Sequence, residues 1–278
     1  MRTSTSPSRR TTGAVVRRAA TALTAGVVLA VVTVGLVAPA AQSAPATPAG
    51  TARAAATSRV APTPDVRSQT AAQLYGSGQY TSPTSEAAQA AAALRTSDPA
   101  GAAAAATIAR YPVATWLGEW TQGSTLTRTV RDATAGAAAN GTTAVFVTYA
   151  IPDRDCGGYS AGGFDEPAYD AWIDQVVALV AGTRSAVVVE PDSLAMLSNA
   201  ACTGDLDQQR YRVLSREVAA FTAASVPAYL DAGNSNWVAP ASMAQRLTAA
   251  GVQDARGFST NVANYYPVAQ EQAYAQRV

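Results

Sequence analysis

Histidine is absent from all 278 residues. That excludes Ser-His-Asp and Cys-His catalysis and removes the commonest zinc ligand. Any chemistry here must run on carboxylates, hydroxyls or tyrosines. The formal net charge is only +1, which argues against a basic nucleic-acid surface. The packed DxDxDG spacing of a calcium loop is missing as well. Cysteine occurs twice, as Cys156 and Cys202. In an exported chain the pair predicts one disulfide, with two free buried thiols as the alternative. Closing a loop of that length would stabilise by about 4 kcal/mol on the chain-entropy model.

What is present begins with a leader. Arg2, Arg9, Arg10, Arg17 and Arg18 form a basic region without acids, Ala19 to Val37 is apolar, and small residues follow. This pattern predicts a secretory signal over 1–44, cleaved near Ala38-Pro39-Ala40 or at Ser43-Ala44. A retained membrane anchor fits less well, because Thr and Gly dilute the apolar run and no anchoring charge cluster follows it. Residues 45–72 are Ala, Pro, Thr and Ser with little to bury, which predicts a disordered linker. Residues 73–278 suffice for one sizeable core. Beyond the leader the chain carries more acid than base.

From residue 85 the elements alternate. An Ala-rich stretch, 85–109, is broken by "SDPAG" at 97–101, which predicts two helical pieces with Ser97 or Asp98 capping the second. Strands are expected at 111–118, 142–151, 185–190, 226–232 and from 255 to 265. Helices are expected at 124–141, 165–182, 206–224 and 239–251, with Asp165 as a cap and Asn140-Gly141, Gly182 and Gly251 as stops. Apolar strands alternating with helices imply a parallel sheet covered on both faces, either a βα barrel or a doubly wound sheet.

In such folds chemistry gathers at the carboxyl ends of the strands. The second strand runs out into "YAIPDRDC" with Asp153 and Asp155, the third into "VVVEPD" with Glu190 and Asp192, and the fourth into "YLDAGNSNW" with Asp231. Each acid alone has a simpler explanation, since Asp192 can cap the following turn and Asp231 can hold the "DAGN" turn. Acids at three consecutive strand ends favour a cleft aimed at a substrate. Without histidine, such a cleft suits oxygen-ligand cation binding or glycoside hydrolysis, which needs one protonated and one ionised carboxyl group. Trp116, Trp120, Tyr149, Tyr159 and Trp237 fall at the same ends or in the loops after them. Exposed aromatic faces stack on sugar rings, although core packing explains any single one.

The stretches "VFVTYAIPDRDCGGYSAGGF", "VVVEPDSLAML" and "YLDAGNSNW" resemble glycoside hydrolase family 6, the inverting cellulases, and "ATWLGEW" and "RGFSTNVANYY" fit in order. The similarity runs from about Leu74 to the chain end, and "YSAGG" points to the bacterial endoglucanase branch. The resemblance implies an α/β fold, a distorted and incomplete parallel β/α barrel. It implies Asp192 as general acid, with Asp155 beside it raising its pKa. It implies a disulfide between Cys156 and Cys202, Tyr149 distorting the sugar at the cleavage point, and Ser160 holding the attacking water. Trp116, Asp231, Trp237 and Asn264 match the family's sugar-contacting positions.

Two features depart from the pattern. Asn234 stands where the family usually has histidine, so an altered substrate contact is expected. The chain also stops at "AYAQRV", where the family continues through further strands that carry the aspartate most often proposed as base. A truncated barrel lacking its last strands is therefore expected, with an open edge and low activity. The resulting expectation is a secreted, monomeric, inverting endo-hydrolase of β-1,4-glucans. It would require no cofactor or metal, and would bind neither nucleic acid nor, after leader removal, a membrane. The alternative is a catalytically inactive glucan-binding fragment.

Overall fold

The computed structural model describes residues 65–202 and 204–278. The expected signal, and residues 45–64 of the expected linker, lie outside the described residues. The rest of that linker is part of the folded body. Val66 is buried, Arg67 donates to the Gln253 carbonyl at 3.2 Å, and Arg256 donates to that of Gln69 at 3.2 Å. Its composition hides this because a single valine and two backbone carbonyls make the attachment.

Helix α1, Ala71–Tyr75, opens on a capping box between Thr70 and Gln73. Helices α2 (Glu86–Leu94) and α3 (Pro99–Ile108) pack together as a hairpin, capped by Ser85 and Asp98; the Asp98 carboxylate accepts from Gly101 N–H at 2.9 Å. The alternation then runs β1 (Thr115–Gly118), α4 (Gly123–Ala139), β2 (Ala144–Tyr149), α5 (Glu166–Val180), β3 (Ser185–Val189), α6 (Leu206–Ala223), β4 (Ala228–Asp231), α7 (Pro240–Ala249), β5 (Gly257–Ser259) and α8 (Val268–Ala275).

The five strands form one sheet in the order β1-β2-β3-β4-β5, and every pair is parallel. Because the order never reverses, these five strands have no doubly wound switch point among the described residues. Right-handed crossovers in a sequential order put the helices in one row, and α4 packs on α5, α5 on α6 and α6 on α7. This is the winding of a barrel wall, the α/β architecture the resemblance implies.

Strand side chains alternate between the faces of the wall. On the helical side the in-register row Leu117, Thr148, Val189 and Leu230 is wholly buried, as is Phe146, Val187 and Ala228 one layer below. Each large apolar member contributes about 1.5–3 kcal/mol relative to exposure. The opposite row holds Trp116, Val147, Val188 and Tyr229, of which only Val147 is fully buried. Cover on both faces is thus only partly realised. Among the described residues, β1 and β5 each have one sheet neighbour.

Candidate active site

The loop leaving β2 is built around Arg154, only 6% exposed. Its guanidinium grips the Glu119 carboxylate bidentately at 2.6 and 2.9 Å and donates through Nε to the Ser160 carbonyl at 2.7 Å. It also donates to the Tyr149 carbonyl and lies 4.4 Å from the centre of the Tyr149 ring. One buried cation therefore fastens the end of β1, the end of β2 and the loop that follows β2. Such fork-shaped pairing with simultaneous ring stacking suits arginine and not lysine. The loop returns at Gly163, whose φ is +97° and where a Cβ would meet the Ile151 carbonyl oxygen at 2.0 Å, so only glycine fits.

Within this loop Asp155, Ser160 and Tyr149 form a chain. Asp155 Oδ2 accepts from the Ser160 N–H at 2.8 Å and from its hydroxyl at 3.1 Å; the Tyr149 hydroxyl donates to Ser160 Oγ at 3.0 Å. Trp116 on β1 meets Tyr149 edge-on with centroids 5.1 Å apart. Four expected site residues thus lie in direct sequence of contact.

The end of β3 divides its two acids. Asp192 is half-buried, and its pKa is raised, first by burial and second by the charge of Asp155. The two carboxylates therefore sense each other across the ends of β2 and β3, although burial outweighs the like charge that the resemblance puts first. The turn Ala195–Ser198 has no side-chain cap, and Met196 N–H goes to the Asp192 backbone carbonyl at 2.8 Å. Capping therefore does not occupy the Asp192 carboxylate. Glu190 corrects the expectation of an acid opening at the rim: it is fully buried and accepts from the backbone N–H of Ala150 at 2.9 Å and of Ile151 at 3.1 Å.

Asp231, at the end of β4, is 2% exposed. Its Oδ2 accepts from Gly233 N–H at 2.9 Å, the expected turn contact, and from Asp192 N–H at 2.9 Å. It anchors the backbone of Asp192 from inside. Its Oδ1 and the Nδ2 of Asn234 are buried without a hydrogen-bond partner among the described residues. Asn234 is completely buried, so this side chain offers no surface to an open cleft. Trp237 is 37% exposed, Trp120 and Tyr159 more so, and Asn264 is exposed with φ +54°.

Backbone strain gathers here too. Asp153, Asp155, Cys156, Glu190 and Asp192 all have positive φ, a conformation that costs about 1–3 kcal/mol per non-glycine residue and clusters at working sites. The Cys156–Cys202 disulfide joins the loop after β2 to the loop after β3 across a Cα separation of 5.2 Å, so the bridged alternative holds. Among the described residues no cluster of His, Cys, Asp or Glu suits a metal ion.

Arg154, Glu119, Tyr169 and Glu217 have no place in the sequence reading. A signal exists for Glu217: it interrupts the apolar stripe Val213, Leu214, Val218 and Phe221 on α6, and a charge on a core stripe demands a buried partner.

This parallel wall carries at its carboxyl rim a half-buried acid, Asp192, that feels the charge of a second carboxylate, Asp155. The family model for Glycosyl hydrolases family 6 matches residues 71–277, and the chain belongs to that family. It is 39% identical over 207 residues to Endoglucanase 1 of Streptomyces halstedii, covering 72% of this chain and 62% of the relative. It is 37% identical over 171 residues to Endoglucanase A of Cellulomonas fimi, covering 62% of this chain and 37% of the relative. The endoglucanase Cel6 of Mycobacterium tuberculosis, solved with methyl-cellobiosyl-4-deoxy-4-thio-β-D-cellobioside, superposes with a TM-score of 0.65 at 36% identity, covering 71% of this chain and 66% of that one. The chain spans less than two thirds of the length of these two curated relatives.

Proposed function

We propose that this chain hydrolyses β-1,4-glucosidic bonds in cellulose or a related glucan, cutting internally and inverting the anomeric centre. Asp192 protonates the leaving oxygen, Asp155 supports it with charge and holds Ser160 toward the attacking water, and the proton that water gives up passes through solvent to reload Asp192. Tyr149 and Trp116 form the aromatic wall against which a sugar ring is distorted, and Trp237 and Asn264 extend the contact. The observation that carries this reading is the raised pKa of the half-buried Asp192 next to Asp155, because a general acid must keep its proton near working pH. Endo action rests on the names of the relatives above, and inversion on membership of the family. Export is proposed from the leader; no helix among the described residues is long and apolar enough to cross a membrane.

The test is hydrolysis of a soluble β-1,4-glucan by the purified chain, with the product anomer followed by NMR. Asp192→Ala is expected to lower kcat about 10²- to 10⁴-fold. Asp155→Asn should move the basic limb of the pH–rate curve to lower pH, because removing a neighbouring negative charge lets Asp192 lose its proton earlier. Activity indifferent to Asp192→Ala would sink the assignment. Glucan binding with no hydrolysis in any form would establish a non-catalytic binder instead.

A further inference from the structure

Behind the rim, three ionisable side chains share one sealed space between β2, β3, α5 and α6. The hydroxyl of Tyr169 on α5 lies 3.0 Å from Glu190 Oε1 and also contacts Oε2 of Glu217 on α6. Glu217 Oε1 meets the Thr148 hydroxyl at 2.8 Å. All three of these ionisable groups are fully buried.

Counting protons assigns their states. A tyrosine hydroxyl has one hydrogen and cannot donate to two carboxylates at once. One of the two acids must therefore carry a proton and donate to the tyrosine oxygen. Glu190 is the poorer host for it. Its Oε1 already faces Ala150 N–H and the tyrosine, and its Oε2 faces Ala150 N–H and Ile151 N–H, so both oxygens are acceptors. Glu217 Oε2 has only the tyrosine as partner, and its Oε1 is served by the Thr148 hydroxyl, which in turn accepts the Glu190 N–H at 3.3 Å.

Charge balance gives the same answer. Arg210 on α6 is wholly buried and donates to the Asp153 carbonyl at 3.0 Å, and its Nε and Nη1 have no hydrogen bond among the described residues. Its charge acts on Glu190, so one buried cation balances one buried anion. Arg216, whose charge favours Glu217 as an anion, is already paired with Asp170 at 3.2 Å and Asp174 at 3.0 Å. Burial raises the pKa of both glutamates, and the charge of Glu190 adds to the rise at Glu217.

We propose that Glu190 is a positioning residue: kept anionic by a single proton resident on Glu217, it clamps Ala150 and Ile151 and so sets the Tyr149–Ser160–Asp155 chain against Asp192. The geometry is economical. Glu190 precedes Asp192 by two residues, and the amides it grips directly follow Tyr149, so one carboxylate fixes the offset between the strand ends bearing Asp155 and Asp192. The inference rests on the catalytic reading for its purpose, but its test does not depend on hydrolysis.

The two glutamates must respond differently to the same substitution. In Glu217→Gln the amide group takes the place of the protonated oxygen, donates to Tyr169 and accepts from Thr148. In Glu190→Gln either orientation turns an NH2 group onto a backbone N–H. Carbon-13 NMR of carboxyl-labelled protein, assigned with Asp192→Asn and the two glutamine variants, reads the outcome. In the unsubstituted chain near pH 6, Glu190 is expected ionised and Glu217 protonated. Glu217→Gln should leave the Asp192 midpoint in place, whereas Glu190→Gln should move it by about half a pH unit or more. Where hydrolysis is measurable, Glu190→Gln should lower kcat on the order of ten- to a hundredfold with KM little changed.

A proton on Glu190, or both acids ionised, would overturn the proposal, as would an Asp192 midpoint unmoved by Glu190→Gln or moved equally by Glu217→Gln. If Glu190→Gln does not fold, the spectrum of the unsubstituted chain still decides the proton's position. If the chain proves inactive, the functional reading falls while the titrations continue to test the clamp.

Discussion

Asp231 shows how a single sealed carboxyl group makes folding sensitive to pH. Burial, with the charge of Asp192 adding to it, raises its pKa to about 7, against the two backbone N–H bonds that favour the anion. The folded chain then holds this proton over a range where the unfolded chain, with an ordinary value near 3.9, has released it. The folded state binds more protons there, so the Asp231 contribution to stability falls as pH climbs from about 4 to about 7 and is level above that. Asp231→Asn mimics the neutral acid and keeps an oxygen for Gly233 and Asp192. Urea denaturation at pH 4, 5.5 and 7 should show the variant losing less stability across the window, by up to a few kcal/mol. Equal slopes for both proteins would show that Asp231 does not hold the proton. At this scale the sequence put Asp155 and Asp192 at neighbouring strand ends, and in the fold the charge of one acts on the other. It misled for Glu190, because only the partners on α5 and α6, distant in sequence, reveal that this acid turns inward.

Elements were legible where periodicity was strong and vague where a loop carries the geometry. The helices from α2 to α7 appear within one or two residues of expectation at most ends; side-chain caps at α2, α3 and α5 and glycines after α4, α5 and α7 mark several of them locally. The strand expected over 255–265 shrinks to Gly257–Ser259, because Asn261 and Asn264 adopt positive φ and turn the chain out of the sheet. The strand expected from 111 begins only at Thr115, after Pro112 has kept the approach irregular. The loops after β2 and β3 lack any regular pattern, and the Cys156–Cys202 bridge supplies the constraint that periodicity does not. Replacing both cysteines by serine should lower stability by about 2–4 kcal/mol on this account, read as a fall in urea midpoint with a higher m-value, because the uncrosslinked unfolded chain exposes more surface. Because the bridge joins the Asp155 loop to the loop after Asp192, the same variant should also show a displaced Asp192 titration. An unchanged midpoint and titration would mean that the two loops hold their places without the covalent tie.

For the whole molecule the consequence lies at the β1 end of the sheet. A groove of about 800 Å³ runs between the α2–α3 hairpin and β1, lined in part by Ile108, Tyr111, Val113, Trp116 and Trp120. Ile108, Tyr111, Val113 and Trp120 are 58–67% exposed. Scattered apolar side chains on a surface need no explanation, but a contiguous set beside a strand that pairs on one side only leaves water against surface that would gain by cover. No local pattern in the sequence shows this groove, since the apolar end of α3 and the 111–113 segment meet only in the folded chain. A surface of this character should bind a hydrophobic dye while the protein is fully folded, not only on partial unfolding. The folded chain is therefore expected to enhance anilinonaphthalene sulfonate fluorescence at temperatures well below its melting transition. An Ile108→Lys/Val113→Lys variant should lose most of that enhancement, because both side chains are solvent-facing and the lysines interrupt the patch without entering the core. Its melting temperature should stay within a few degrees, as surface substitutions usually change stability by less than about 0.5 kcal/mol. Dye binding that persists in the variant would place the exposed apolar surface elsewhere, the half-covered row of Val188 and Tyr229 being the next candidate. A large fall in melting temperature would instead mean that Ile108 and Val113 are packed more tightly against the hairpin than their exposure indicates.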